Sequence, residues 1–203
     1  SRGTCITTTD RPTTITSSTT QSGSTYTSTT AEENALLVSG GTSTITNPTV
    51  SKSGSPSGSS DNYDFYGTNA AVLVYNGATL NISGGTVTTS SSYSSGIFAY
   101  GTGTANVSGT TINTSSNNSG AVMVTGGGTL TAENVTATTQ GNSSAAIRSD
   151  RGGGTLTVTG GSYTTNGTGS PVIYSTADIT VSNAYLESKV AQGVVIEGSN
   201  SVT

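Results

Sequence analysis

Histidine is absent from this chain of 203 residues, and charged residues make up only 8% of it. The lack of histidine removes the commonest general base, the Ser-His catalytic triads and a frequent zinc ligand. Tryptophan is also absent, proline occurs four times, and aromatic residues make up 5%. The net charge is −4 and no basic run occurs, which argues against nucleic-acid binding.

Cysteine and long apolar runs are equally scarce. The single Cys5 excludes an internal disulfide framework, and we expect it to be an unpaired thiol near the chain terminus. No apolar run approaches the roughly 18 residues that a membrane-spanning helix needs. The sequence therefore predicts no membrane insertion and no disulfide scaffold.

What the chain has instead is a strict repeat. Hydrophobic residues recur at intervals of 25 residues, at Val72, Ile97, Val122, Ile147 and Val172. Fixed periods of this size indicate stacked repeats, each of which buries its apolar face against its neighbours.

Within each repeat, apolar residues alternate with Thr, Ser or Asn, which is typical of half-buried strands. The first strand begins at the five residues named above. The second strand carries inward pairs, at Leu80/Ile82, Ala105/Val107, Leu130/Ala132, Leu156/Val158 and Ile179/Val181. The third is centred on Val87, Ile112, Ala137 and Tyr163, and glycine-rich turns such as Gly84-Gly85 separate the strands.

Three short strands per coil of about 25 residues predict an all-β fold, a parallel β-helix. A right-handed solenoid is expected, since parallel crossovers almost always turn that way. A propeller blade needs roughly 40 residues, and no segment shows helical periodicity. We therefore expect residues 1–203 to form one β-helix domain.

The pattern also predicts the parts of this domain. Residues 1–23 are expected to form an N-terminal strand or cap region, and residues 51–66 an inserted loop. Val194-Val195-Ile196 begins a last coil that the sequence does not complete, which indicates a piece of a longer chain. An uncapped coil presents open strand edges, so end-to-end self-association is a further expectation.

A pattern recurs in residues 77–88 and 154–164, where both stretches begin with glycine and contain Thr-Leu-x-Ile/Val-x-Gly-Gly-Thr/Ser. In this the chain resembles right-handed parallel β-helix proteins of the pectate-lyase-like group. More narrowly, it is similar to the Thr/Gly/Ser-rich β-helix regions of bacterial cell-surface, adhesin-like proteins. The resemblance covers most of residues 24–203 and implies an extracellular location, at the cell surface or secreted. It specifies a fold much more than an activity.

Catalytic chemistry would have to come from ten carboxylates and six basic residues. The densest charge cluster is Arg148-Ser149-Asp150-Arg151, in which Arg148 and Asp150 point outward on one face of a strand. Neighbouring coils supply nothing that completes a catalytic set. We expect Arg148 and Asp150 to form a surface ion pair and the chain not to be an enzyme. A polysaccharide lyase or hydrolase is the less favoured alternative.

The outward face of the first strand offers a candidate binding surface. If Val72 and its equivalents point inward, an apolar stripe faces outward, formed by Leu73, Phe98, Met123 and Ile173, with Tyr75, Tyr100, Arg148 and Asp150 beside it. Exposed apolar stripes usually indicate a contact, and aromatic rings suit the apolar faces of sugars. The alternative is that the inserted loop or the N-terminal strand covers the stripe.

The inserted loop ends with three aromatic and two acidic residues, Asp61, Tyr63, Asp64, Phe65 and Tyr66. Asp61 and Asp64 are candidates for a Ca²⁺ site, and Ca²⁺ is the only cofactor that the sequence suggests. They are weak candidates because the glycine and terminal Glu of a calcium-binding loop are missing. Aromatic anchoring of the loop onto the solenoid is the alternative.

These observations favour a non-enzymatic extracellular surface domain, an adhesin or a rigid stalk. A polysaccharide-binding module is the second hypothesis, and the expected partner is a host or environmental glycan or a surface protein. Columns of outward threonine, such as Thr86/Thr88 and Thr136/Thr138, raise ice binding as a further hypothesis. Asn113 and Ser162 interrupt these columns, and threonine favours strands in any case.

Overall fold

The computed structural model describes residues 10–198 and 200–203, which form a parallel β-solenoid with three sheets. The first sheet consists of β1 (Thr13–Ile15), β4 (Leu36–Val38), β7 (Val72–Val74), β10 (Ile97–Tyr100), β13 (Val122–Thr125), β16 (Ile147–Ser149), β19 (Ile173–Ser175) and β22 (Val194–Ile196). The second consists of β2 (Thr20–Ser22), β5 (Thr42–Thr46), β8 (Thr79–Ser83), β11 (Thr104–Ser108), β14 (Gly128–Glu133), β17 (Gly154–Thr159), β20 (Asp178–Ser182) and β23 (Ser201–Val202).

The third sheet consists of β3 (Thr25–Ser28), β6 (Thr49–Lys52), β9 (Thr86–Thr89), β12 (Thr111–Thr114), β15 (Thr136–Thr139), β18 (Ser162–Thr165) and β21 (Tyr185–Ser188). Every strand pairs in parallel with the strand three places along the chain. The predicted parallel β-helix with three strands per coil is therefore confirmed.

The core lies inside the solenoid, where equivalent apolar residues of successive coils stack on one another. In the second sheet, for example, Leu80, Ala105 and Leu130 are in register and at most 1% exposed. All the residues predicted to point inward from the second and third strands occupy inward positions in the structure. Alternation explains this, because one residue of slip would turn every apolar side chain toward solvent.

The corner after the third sheet is polar, yet it is buried. Thr114 and Thr139 each donate a side-chain hydrogen bond to the carbonyl five residues later, on Ser119 and Ser144. The hydroxyl of Ser144 in turn accepts a hydrogen bond from the backbone N–H of Ser119, and Ser170 does the same for Ser144. A continuous hydroxyl stack thus satisfies the backbone groups of this corner.

One part of the predicted register is wrong. Ile147 pairs with Ile173 and not with Val172, so the interval here is 26 residues. Because Gly128 pairs with Gly154, the extra residue lies in the turn between Ser149 and Gly154. Ile173 is therefore an inward residue, 1% exposed, and Tyr174 takes the outward position next to Arg148.

The inserted segment differs from its predicted form in two ways. Ser51 and Lys52 belong to β6, so the insertion begins at residue 53, and it contains a short helix, α1 (Asp61–Tyr66). Ser60 caps this helix by accepting a hydrogen bond from the N–H of Asn62, and Gly67 ends it with φ of 72°. A helix of six residues is too short to show a helical periodicity in the sequence.

At the N-terminal side, β1 and β2 are ordinary coil strands within the region predicted as a strand or cap. Cys5 lies outside the described residues. None of the helices in the described part of the chain has the length and apolar character needed to span a membrane.

Candidate functional site

The apolar stripe on the outer face of the first sheet is covered. Leu73, Phe98 and Met123 are 4%, 1% and 3% exposed, so the prediction that they form an open binding surface is wrong. They form a second, smaller apolar cluster with Ala70, outside the solenoid core. The alternative, that the inserted segment folds over the stripe, is what the structure shows.

Close packing and hydrogen bonds hold the inserted segment in this place. A Cβ atom on Gly67 would lie 2.8 Å from the side chain of Leu73 and 2.9 Å from that of Phe98, so any larger residue would have to displace them. The side-chain amide of Asn34 donates to the carbonyls of Gly67 and Ala70, at 3.0 and 2.7 Å. The hydroxyl of Thr125 donates to the carbonyl of Phe65.

The predicted charge cluster also contributes to this docking. Arg148 pairs with Asp150, whose second carboxylate oxygen accepts the backbone N–H of Arg151. The guanidinium of Arg151 lies 3.8 Å from the ring centre of Phe65 and 3.2 Å from the carboxylate of Asp61. The Arg148–Asp150 pair predicted from the sequence is confirmed, and its neighbour Arg151 attaches α1 to the solenoid.

The two carboxylates of α1 have different surroundings. Asp61 faces the cationic Arg151. Burial raises the pKa of Asp64 above its usual value, with Arg148 opposing the rise and Asp150 and Asp61 adding to it. Within the described ranges there is no group of three or more metal-ligating His, Cys, Asp or Glu side chains, and Ca²⁺ binding by Asp61 and Asp64 stays a prediction.

Beside the covered stripe lies an open cavity of about 320 Å³, which we call the tyrosine groove. It is lined by Glu32, Asn34, Leu37, Tyr66, Thr68, Leu73, Tyr75 and Tyr100. Tyr66 of α1 and Tyr100 of β10 meet edge to face, with ring centres 5.4 Å apart and an interplanar angle of 74°. The ring of Tyr100 leans on Gly126, where a Cβ atom would approach it to 2.6 Å.

A carboxylate stands at the edge of the groove in a constrained backbone conformation. Glu32 has φ of 64°, which is uncommon for a residue other than glycine. Its backbone N–H donates to the side-chain oxygen of Asn69, at 2.9 Å. The amide nitrogen of Asn69 donates in turn to Ser91 and to the carbonyl of Ser92, so the fully buried Asn69 links two successive coils.

The remaining loop aromatics lie to either side of the groove. Tyr63 packs against Tyr93, with ring centres 6.2 Å apart, and Tyr93 has φ of 51°. Burial, a hydrogen bond that the Tyr63 hydroxyl donates to the Glu32 carboxylate, and the negative charge of Glu32 raise the pKa of Tyr63. Of the three loop aromatics, Tyr63 and Phe65 therefore anchor the segment, and Tyr66 faces the groove.

The outer face of the second sheet carries a different surface. Asn81, Asn106 and Thr131 form a ladder in which Asn106 donates to Asn81 at 2.9 Å and Thr131 donates to Asn106 at 2.7 Å. This ladder lies along a shallow cavity of about 430 Å³. Because these side chains bond to one another, fewer of their polar atoms remain for water or ice.

Sequence analysis missed several residues of the groove. Leu37 precedes Leu73 in the same outward column, so the register could have identified it. Glu32 and Asn34 lie in the turn before β4, and their positions depend on Asn69 and on the inserted segment. No local pattern could have placed them beside Tyr100.

Comparison with known proteins identifies no relative of this chain. No protein-family model, no curated protein and no solved structure matches this chain.

Proposed function

We propose that the chain is a non-enzymatic, extracellular surface domain in which a rigid β-solenoid presents the tyrosine groove to a glycan. The observation that carries this proposal is the groove itself, with Tyr66, Tyr75 and Tyr100 around one cavity. Clefts of about 300 Å³ or more, with aromatic walls and a few polar groups, are typical ligand sites.

The chemistry of the lining suits sugar rings. The faces of tyrosine rings pack against the apolar C–H faces of a sugar, and the phenolic hydroxyl groups remain available for hydrogen bonds. The carboxylate of Glu32 and the side-chain oxygen of Asn34 add acceptors at one side, since the amide nitrogen of Asn34 already donates to Gly67 and Ala70. The groove therefore offers both the apolar contact and the polar contacts that orient a pyranose.

A structural role for the charge cluster supports a non-enzymatic function. Asp150 already accepts hydrogen bonds from Arg148 and from the backbone of Arg151. A carboxylate engaged in this way is a poor general base, since its charge is compensated. We expect no turnover of pectin-like or other acidic glycans; turnover that disappears with Asp150→Ala would contradict the non-enzymatic proposal.

A glycan array tests the binding proposal. The double variant Tyr75→Ala, Tyr100→Ala removes two groove walls, and we expect it to lose at least about tenfold in affinity, as expected for two aromatic contacts. Tyr185→Ala is the matched control, since Tyr185 is 57% exposed and lies on β21, the last strand of the third sheet. Glycan binding that survives the double variant would exclude the groove as the site.

A further inference from the structure

The charge of the groove limits which class of glycan it can bind. Glu32 is the one ionisable carboxylate among the lining residues, and no Lys or Arg lines the groove in the described part of the chain. Arg148 and Arg151 are paired with Asp150 and Asp61. The buried Lys52, just before the inserted segment, has Glu33 and Asp10 near its charge. The chain as a whole carries a net charge of −4. The field at the groove therefore favours a cation and opposes an acidic sugar.

The aromatic walls of the groove also favour a cation. The face of a tyrosine ring attracts an ammonium group within about 6 Å of the ring centre. Three tyrosines with one carboxylate are the set of groups that recognises an alkylammonium ion, in which the rings surround the cation and the carboxylate compensates its charge.

The position of Glu32 is enforced by the fold. Its left-handed backbone conformation costs on the order of 1 kcal/mol or more and persists only when surrounding contacts impose it. The contact here is the hydrogen bond from the Glu32 N–H to the buried Asn69, whose amide nitrogen donates to the next coil. The equivalent residues of later coils, Tyr93, Asn118 and Ser143, also have positive φ, so this conformation belongs to the repeating turn of the solenoid and fixes the backbone from which the Glu32 side chain extends.

We infer that the tyrosine groove selects glycans that bear a protonated amine, such as β-linked glucosamine oligomers, with Glu32 as the residue that determines this specificity. This inference rests on the proposed glycan binding. In the complex, the ammonium group lies between the carboxylate of Glu32 and the tyrosine rings, while the pyranose faces pack on the remaining aromatic surface.

Titration calorimetry with three tetrasaccharides tests the inference: a glucosamine tetramer, the same tetramer fully N-acetylated, and a neutral glucose tetramer of the same linkage. At mildly acidic pH and low salt we expect the amine form to bind at least tenfold more tightly than the acetylated form. Glu32→Gln should abolish this preference, and its loss of affinity for the amine form should be at least tenfold larger than any loss for the neutral sugars. Added salt should weaken the preference, because a partly exposed ion pair is screened.

Glu187→Gln is the matched control, because Glu187 is a carboxylate on β21, where it accepts a hydrogen bond from Tyr185. Equal affinity for the amine and acetyl forms, or a preference that survives Glu32→Gln, would overturn the inference and leave glycan binding in place. Loss of the preference in Glu187→Gln as well would indicate general charge attraction and would also overturn it. Failure to bind all three sugars would overturn the proposed function together with the inference.

Discussion

Tyr163 has the greatest volume of the fully buried side chains in the solenoid, and its hydroxyl has no hydrogen-bond partner among the described residues. Its ring occupies an inward position between Ala137 and Leu186 of the neighbouring coils. The small Ala137 compensates for the large ring, and burial raises the pKa of the phenol well above its usual value. At this position the ring fills the interior of the solenoid, although its hydroxyl group lacks a hydrogen bond.

Tyr163→Phe is therefore expected to stabilise the protein. Removing an unpaired buried hydroxyl while keeping the ring should raise the free energy of unfolding by about 1 kcal/mol. Tyr163→Ala, which empties the same position, should lower it by about 3–5 kcal/mol. Urea unfolding of the three proteins measures both values. A less stable Phe variant would mean that the hydroxyl has a partner in solution.

Lys52 is the second unusual interior residue. It is 2% exposed, and its ammonium group donates to the carbonyls of Thr30 and Ser53. Burial lowers the pKa of Lys52 from 10.5 to about 8, although the nearby Glu33 and Asp10 favour the charged form. The folded protein therefore binds fewer protons than the unfolded chain between these two values.

From this depressed pKa we expect stability to rise with pH between 8 and 10.5. Below pH 8 the full cost of the buried charge is present. When Lys52 has lost its proton completely, this cost is gone and the free energy of unfolding is higher by on the order of 3 kcal/mol. Chemical denaturation at several pH values, taken as the difference between the native chain and Lys52→Met, separates this contribution from those of the other titrating groups. A difference that is flat or falls across this range would refute the assignment.

The inserted segment is the element that turns a plain solenoid into a candidate binding domain. It covers Leu73, Phe98 and Met123, and it brings Tyr66 next to Tyr100. Without it, three large apolar side chains would face solvent, and each could contribute roughly 1.5–3 kcal/mol by burial. The segment and the outward face of the first sheet therefore stabilise each other.

Gly67→Ala tests this arrangement. The added Cβ would overlap Leu73 and Phe98, and alanine is strained at φ of 72°, so we expect a loss of about 1–3 kcal/mol. Gly58→Ala is the matched control within the same segment, since a Cβ atom there meets nothing within 4 Å. Thermal unfolding gives the stability of both variants, and tyrosine fluorescence reports the groove. Equal effects of the two substitutions would show that Gly67 does not pack as described.

Across the whole molecule, each coil stacks on the coil before it and the coil after it, and only the inserted segment reaches coils farther along. Stability in such a stack is close to a sum of coil and nearest-neighbour contributions. At one end of the described stack, apolar side chains of the last coil are exposed, with Val190, Val194 and Ile196 at 58%, 45% and 46%. These side chains have no following coil to pack against among the described residues.

We therefore expect the 203-residue chain to self-associate through this end. Strand edges and apolar side chains lie together there, and a low charge density opposes association only weakly. Val194→Lys combined with Ile196→Lys should shift the chain toward the monomer, whereas Tyr75→Lys on the side of the solenoid should not. Light scattering across a concentration series measures the shift. A native chain that remains monomeric at high concentration, with intact β-sheet circular dichroism, would contradict the expectation.

The sequence by itself determined the architecture. A strict alternation inside a 25-residue repeat leaves one register in which apolar residues such as Leu80, Leu130 and Leu156 face inward, and that register is the observed one. The pattern failed only at Val172, because a glycine-rich turn absorbed one extra residue without any change in composition. Periodicity encodes which residues stack, but it does not mark where a turn lengthens.

The tertiary structure alone decided the candidate site. The sequence placed Phe98 and Tyr100 on one outward face, and only the folded inserted segment separated them, with Phe98 buried and Tyr100 beside the groove. Glu32 and Tyr66 are far apart along the chain, and both reach the groove because Asn69 and Gly67 fix two loops against the sheet. Loop packing depends on individual long-range contacts, which no local repeat records.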